Sequence, residues 1–172
     1  MKRSLLLVLL AATAAPAQAD PISVTKTVTV VSAPIATAVP KSIPGAEVDY
    51  TIRLTNPLAN AGQPVRNMVF EDVLPTSVML RVRDIGAAGS GPVRFTNGPV
   101  VLGVGDSGLT YVFRGLGDQT DSIEFWNGLT WSYTPVPDAD GYDGNVRAIR
   151  IKPLTTFSTA GTFSLQFRVK LR

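Results

Sequence analysis

The sequence predicts an all-β protein, a single immunoglobulin-like antiparallel β-sandwich that follows a cleaved signal peptide. Three observations indicate this class. Apolar and polar residues alternate in several short segments, which is the period-two pattern of strands with one buried face. Pro and Gly separate these segments. No stretch after the first nineteen residues has the 3.6-residue period of an amphipathic helix. About eight short strands with such turns are typical of a β-sandwich.

The N-terminus has the three parts of a secretory signal peptide over 1–19. Lys2 and Arg3 supply the positive start, a leucine-rich apolar run follows, and Ala-Gln-Ala at 17–19 fits the small-x-small cleavage pattern. The run is shorter than the ~20 residues that span a membrane, and no later segment is apolar enough to do so. We expect an exported domain over 20–172 that is extracellular, cell-surface or periplasmic.

The first strand, 22–31, is rich in β-branched residues, and Lys26 interrupts its more apolar face, as is common at a sheet edge. Prolines mark 32–45 as a connection. The clearest alternation lies in 47–56. It places four apolar residues on one side of the strand: Val48, Tyr50, Ile52 and Leu54.

Shorter segments between Gly- and Pro-rich turns follow. We predict further strands over 65–72, 78–83, 94–95, 100–102 and 110–114. Asn-Gly at 127–128 predicts a type I′ hairpin turn within 122–133, because both turn positions need positive φ. The predicted cross-strand pairs are Trp126 with Leu129 and Glu124 with Trp131.

Two strands complete the prediction, over 146–151 and 163–171. The last of them alternates along its whole length, which is typical of a strand that closes a sheet. Its inward residues are Phe163, Leu165, Phe167, Val169 and Leu171, and its outward residues are Thr162, Ser164, Gln166, Arg168 and Lys170.

Three motifs occur in order after the first strand: Pro44-Gly45, YTIRLTN at 50–56, and DVLP at 72–75. Together they resemble the DUF11 domain, an immunoglobulin-like module of bacterial and archaeal surface proteins. That family has a Pro-Gly turn, a YTI-x-x-TN strand and a strand ending in D-x-LP. The resemblance covers most of 22–172. It implies an exterior, non-enzymatic module, often in cell-wall or adhesive proteins, and no catalytic residues.

Composition excludes several classes of function. The chain has no cysteine and no histidine, so disulfides, zinc sites built on Cys or His, and Ser-His-Asp or Cys-His catalysis are impossible. Without the signal peptide, 14 basic residues face 13 acidic ones, with no basic run. Nucleic acid is therefore not an expected partner.

Two weaker motifs have simpler explanations. GDSG at 105–108 matches the string around a serine-protease nucleophile, but Ser107 has no histidine to accept its proton. G-x-G-x-x-G at 103–108 leads into a strand-like segment rather than a helix, so it does not predict a dinucleotide site. Five carboxylates are candidates for glycoside hydrolysis, but spacing does not place any two at one cleft: Glu71, Asp72, Asp118, Asp121 and Glu124. We expect no enzyme.

Asp138, Asp140 and Asp143 surround Gly141 and form the clearest candidate for a metal site. Calcium prefers six to eight oxygen ligands, and three carboxylates within one loop can supply part of that set. The twelfth position, counted from Asp138, is Ile149 rather than the Glu of an EF-hand. The other interpretation is a solvated turn, since Asp and Gly are turn formers.

Four aromatic residues cluster around the predicted hairpin and the Asp-rich loop: Trp126, Trp131, Tyr133 and Tyr142. Exposed and coplanar rings would suit sugar binding, while ordinary strand packing uses the same residues. A calcium-assisted glycan-binding module is therefore one functional hypothesis.

The other hypothesis is a structural or adhesive surface or matrix subunit that acts through its sheet edges and loops. Segment 22–31 follows the cleavage site and precedes a long Pro- and Ala-rich connection. It would pair with its own sheet or complete that of a neighbouring copy by strand addition. The expected partners are thus further copies of the chain, or a surface polysaccharide or protein.

Overall fold

The computed structural model describes residues 19–36, 38–63, 65–101 and 105–172. The signal peptide predicted over 1–19 lies outside this part of the chain except for Ala19, which is exposed. The all-β prediction is confirmed, because the regular elements of the described residues are eleven strands and one short 3-10 turn, Leu58–Asn60.

The strands are β1 Ser23–Ser32, β2 Glu47–Thr55, β3 Val65–Arg66, β4 Phe70–Val73, β5 Val78–Arg81, β6 Val93–Asn97, β7 Ile123–Trp126, β8 Tyr142–Asp143, β9 Ala148–Ile151, β10 Thr156–Phe157 and β11 Thr162–Leu171.

The larger sheet is built around β11. Its strand order is β1-β2-β11-β5-β8, and β6 also pairs with β11. One edge of β11 pairs antiparallel with β2 over nine residues. The other edge pairs with β6 at 163–167 and with β5 at 169–171. Because β11 alternates between inward apolar and outward polar residues, it can hold both neighbours in register.

The smaller sheet has the order β4-β9-β7, and β10 pairs with β3 separately. The two sheets share one apolar core, since buried residues of both belong to a single cluster. The larger sheet contributes Val48, Ile52, Leu54, Phe163, Leu165, Phe167 and Val169, and the smaller sheet contributes Ile123, Phe125, Ile149 and Ile151. The molecule is therefore a two-layer antiparallel β protein.

Several predicted strands are shorter or interrupted. Segment 65–72 divides into β3 and β4 because Asn67 takes a positive φ of 52°. Segment 110–114 forms one isolated bridge, between Thr110 and Leu154, instead of a strand. Part of 100–102 lies outside the described residues. Thr162, predicted to face outward, is buried and donates a hydrogen bond to the Leu54 carbonyl.

The predicted Asn-Gly hairpin is wrong. β7 pairs antiparallel with β9, and it meets the segment that follows it at one isolated parallel bridge, Phe125 to Ser132, rather than in an antiparallel hairpin. Of the two turn positions, Gly128 has a positive φ of 98° and Asn127 does not. The Asn127 side chain instead accepts hydrogen bonds from the backbone N–H groups of Leu129 and Thr130. This local bonding opens a wider loop in which Leu129 is 91% exposed, so neither predicted cross-strand pair forms.

Candidate interaction surfaces

The most open backbone edge belongs to β1, the outermost strand of the larger sheet. β1 pairs with β2 at nine positions, and its other edge has no strand partner among the described residues. Nine of its ten residues are exposed, and Val30 is half-buried. Val24 and Val28 are 54% and 56% exposed although they pair with the core-facing positions of β2. β1 is therefore held mainly by its pairing with β2 and little by burial.

The single charged residue of β1, Lys26, pairs with an acidic residue of the smaller sheet. Lys26 Nζ lies 2.6 Å from a carboxylate oxygen of Asp72, on β4 at the edge of the smaller sheet. It also lies 4.5 Å from the centre of the Tyr50 ring. Charged residues commonly protect edge strands against pairing with other chains. Here Lys26 is 37% exposed and its charge is paired with Asp72, so this single, partly compensated charge gives the edge of β1 little of that protection.

Trp126 and Trp131 come together on the outer face of the smaller sheet. Their ring centres are 6.0 Å apart and their planes differ by 26°. The Arg150 guanidinium lies 3.8 Å from the centre of the Trp131 ring, and Glu71 and Glu124 hold it there. Arg150 covers one face of Trp131, so a sugar would have to displace it or use the remaining surface of the pair.

The two tyrosines of the predicted glycan site are hydrogen-bonded to carboxylates. The Tyr133 hydroxyl donates a 2.7 Å hydrogen bond to Asp143. Tyr142 is 1% exposed, and its hydroxyl donates a 2.5 Å bond to Glu47. The four rings thus form no common platform, and Tyr142 has no exposed surface to offer a ligand. Sugar binding by the tryptophan pair stays a prediction.

The carboxylates of the Asp-rich loop face different partners. Asp138 accepts hydrogen bonds from two backbone N–H groups of its own turn. Asp140 pairs with Lys170 at 2.8 Å, and Asp143 accepts from the Tyr133 hydroxyl. Within the described ranges, no three acidic side chains lie close enough together to hold a metal ion. These contacts are those of a hydrogen-bonded turn, and calcium binding stays a prediction.

The GDSG segment forms a compact turn. Ser107 is fully buried, its hydroxyl donates to the side-chain oxygen of Asn97, and the same hydroxyl accepts the Leu109 N–H at 3.1 Å. The Asp106 carboxylate accepts the Gly108 N–H at 2.6 Å. Positions 103 and 104 of the overlapping glycine motif lie outside the described residues.

The acidic residues considered for acid–base chemistry form structural hydrogen bonds and ion pairs. Burial raises the pKa of Glu124, but hydrogen bonds from Lys152 and Arg150 outweigh it, so this pKa lies below its usual range. A general acid needs a raised pKa. Asp121 accepts the backbone N–H groups of Arg114 and Ile123. These carboxylates stabilise the local structure.

Two adjoining clefts were not predicted from the sequence. One, of about 450 Å³, is lined by Arg94, Phe95, Tyr111 and Phe113, among others. The second, of about 520 Å³, is lined by Arg81, Arg83 and again Phe113. Their walls come from separate segments of the chain that show no common motif. In the sequence, the only feature that pointed to these clefts was the pair of arginines at 81 and 83, separated by Val82.

Comparisons with known proteins do not extend these findings. The chain matches no protein-family model, and a search of curated proteins returns no significant match. Among the described residues, no helix is long and apolar enough to cross a membrane.

Proposed function

We propose that this protein is an exported, non-enzymatic structural or adhesive module with an immunoglobulin-like fold, which associates with further copies of itself through β1. The observation that carries the proposal is the open edge of β1, ten residues long and exposed on both faces. Such an edge is a template for strand addition by another chain. The two antiparallel layers with a shared core support the immunoglobulin-like part of the proposal.

Export is supported by the sequence ahead of the domain. A basic start, an apolar run and a small-x-small site are the features that a secretion signal needs. Ala19 and Asp20, which flank the expected cleavage site, are both exposed. N-terminal sequencing of the exported protein should begin at Asp20.

The assembly test uses a charge placed on the edge strand. Val28→Lys adds a second lysine to β1 at a position that is 56% exposed, so the fold should tolerate it. Val136→Lys makes the same change in a loop where Val136 is 70% exposed. We expect light scattering and electron microscopy to show assembly of the 20–172 protein and of the loop variant, but not of Val28→Lys. Equal assembly by all three proteins, or by none, would contradict the proposal.

Two geometries of association are separable by removing the strand. If β1 stays on its own sheet and only its edge is shared, deletion of 20–32 exposes the next strand and costs stability. If β1 is exchanged between copies, the shortened chain should remain a folded monomer that no longer assembles. Circular dichroism and sedimentation of this variant distinguish the two geometries.

A second candidate function is glycan binding at Trp126 and Trp131. The observation that favours it is the placement of both rings, half-buried, on one outer face. Trp131→Ala should then abolish retention on a polysaccharide column, and a monomeric protein would favour this function over assembly. Calcium assistance predicts that a chelator lowers both retention and melting temperature.

A further inference from the structure

The two clefts described above adjoin at the ring of Phe113, which lines both of them. The ring packs directly on Gly91, where a Cβ atom would approach it to 2.6 Å. Since Gly91 also has a positive φ of 73°, both space and backbone geometry favour glycine at this position. The close packing fixes the aromatic ring between the two cavities.

Three arginines line the clefts and have no carboxylate partner. Arg81, Arg83 and Arg94 have no acidic oxygen within ion-pair distance among the described residues, whereas Arg150 and Arg168 do. Their guanidinium groups donate to backbone carbonyls. The distances are 3.5 Å from Arg81 to Asp84, 3.3 Å from Arg83 to Ala139 and 2.8 Å from Arg94 to Ile85. Arg94 also donates to the side-chain oxygen of Gln166 at 3.3 Å, and Arg81 also hydrogen-bonds the Tyr142 hydroxyl.

The acidic groups near these arginines are already engaged. Asp84 lines the second cleft, but its carboxylate accepts the backbone N–H groups of Gly89 and Gly91 at 2.9 and 2.7 Å. It therefore shapes the loop that forms the wall. Asp140, the other acidic residue near Arg83, pairs with Lys170. Since Asp84 supplies one negative charge against three arginines, the lining of the two clefts keeps an excess of positive charge.

We infer that these clefts bind an acidic polysaccharide, with a carboxylate-bearing sugar in each cleft and the Phe113 ring between them. Arginine binds carboxylates through two parallel hydrogen bonds, which is stronger than a neutral contact. A repeating acidic sugar places a carboxylate and an apolar ring face at regular intervals. Each cleft likewise has at least one arginine in its lining, and both share the ring of Phe113. Each cleft has a volume within the ~300–1,000 Å³ range of ligand sites.

The test is binding of the 20–172 protein to polygalacturonate, with dextran as the neutral control polymer, at an ionic strength of about 0.15 M. The double variant Arg83→Gln/Arg94→Gln removes two exposed cleft arginines. Its matched control, Arg53→Gln/Arg66→Gln, makes the same change of net charge at two exposed arginines outside the clefts. We expect the cleft variant to bind polygalacturonate at least about tenfold more weakly than the control variant.

Three results would overturn this inference. The first is no binding of polygalacturonate, or equal binding of dextran. The second is equal weakening by the two double variants, which would indicate general charge attraction. The third is equally tight binding of poly-glutamate, which would assign the clefts to acidic peptides. Val28→Lys should bind polygalacturonate normally, so assembly and cleft binding can fail independently.

Discussion

Among single residues, Asn56 stabilises the fold through the hydrogen bonds of its buried side chain. This residue ends the YTIRLTN segment and is completely buried. Its side-chain nitrogen donates to the carbonyls of Phe157 and Ser158, both at 3.1 Å, and its oxygen accepts from Asn60 at 2.8 Å. The amide therefore joins the end of β2 to the turn before β11, which is a sufficient physical reason for Asn at this place.

Asn60 extends the same network to the start of the domain. Its side chain accepts the Asp20 N–H at 2.7 Å and donates to the Asp20 carbonyl at 2.9 Å. Asn60→Ala removes both bonds and leaves the buried Asn56 oxygen without this donor. We expect the free energy of unfolding to fall by about 1–3 kcal/mol in urea denaturation. The exposed Gln119→Ala should change it by less than about 0.5 kcal/mol, and equal effects of the two substitutions would refute this account.

The raised pKa of Tyr142 predicts that the protein loses stability at alkaline pH. Burial, followed by the hydrogen bond to Glu47, raises the pKa of Tyr142 to about 12. Unfolded tyrosine titrates near ~10, so the contribution of Tyr142 is complete below that pH and is lost as the pH rises toward about 12. Burial also raises the pKa of Tyr111. In urea titrations over this pH range, Tyr142→Phe should show a shallower decline than the wild type, and an identical decline would contradict the assignment.

Among the strands, β11 has the most pairing partners, because β2, β5 and β6 all pair with it. Leu165 is fully buried at its centre, opposite Ile52 on one neighbour and Phe95 on the other. Leu165→Ala should lower the free energy of unfolding by about 2–5 kcal/mol, because it leaves a cavity in the shared core. Ser164→Ala, on the outward face of the same strand, should cost far less, and thermal unfolding of both variants measures the difference.

Long alternating strands were predictable, and very short ones were not. β1, β2 and β11 lie within about one residue of their predicted bounds because nine or ten residues give a clear period. β8 and β10 have two residues each, which is too few to show any alternation. At Asn127, side-chain hydrogen bonds to the following backbone N–H groups replace the hairpin turn that Asn-Gly favours.

For the whole molecule, long-range pairing predicts slow folding. The β2 and β11 partners Thr55 and Thr162 are 107 residues apart in sequence. Proteins dominated by such pairings fold over milliseconds to seconds. Stopped-flow refolding followed by tryptophan fluorescence should give a main phase in that range, and a microsecond phase carrying the full amplitude would contradict it.

The candidate sites were predictable in part. Sequence proximity correctly grouped Trp126 with Trp131, which are five residues apart. It also included Tyr142, whose ring is turned inward by the pairing of β8 with β5 within the larger sheet. The cleft arginines come from β5, its following loop and β6, and they meet Phe113 only in the folded state. No spacing rule relates these positions.

The position of β11 also restricts when the protein can become folded. β2, β5 and β6 all pair with this one strand, yet it is the last strand of the described chain. During synthesis, the larger sheet therefore cannot close until residues 162–171 have been added to the chain. For the export proposed above, this order means that a chain without residues 162–171 has no closed larger sheet to unfold before translocation.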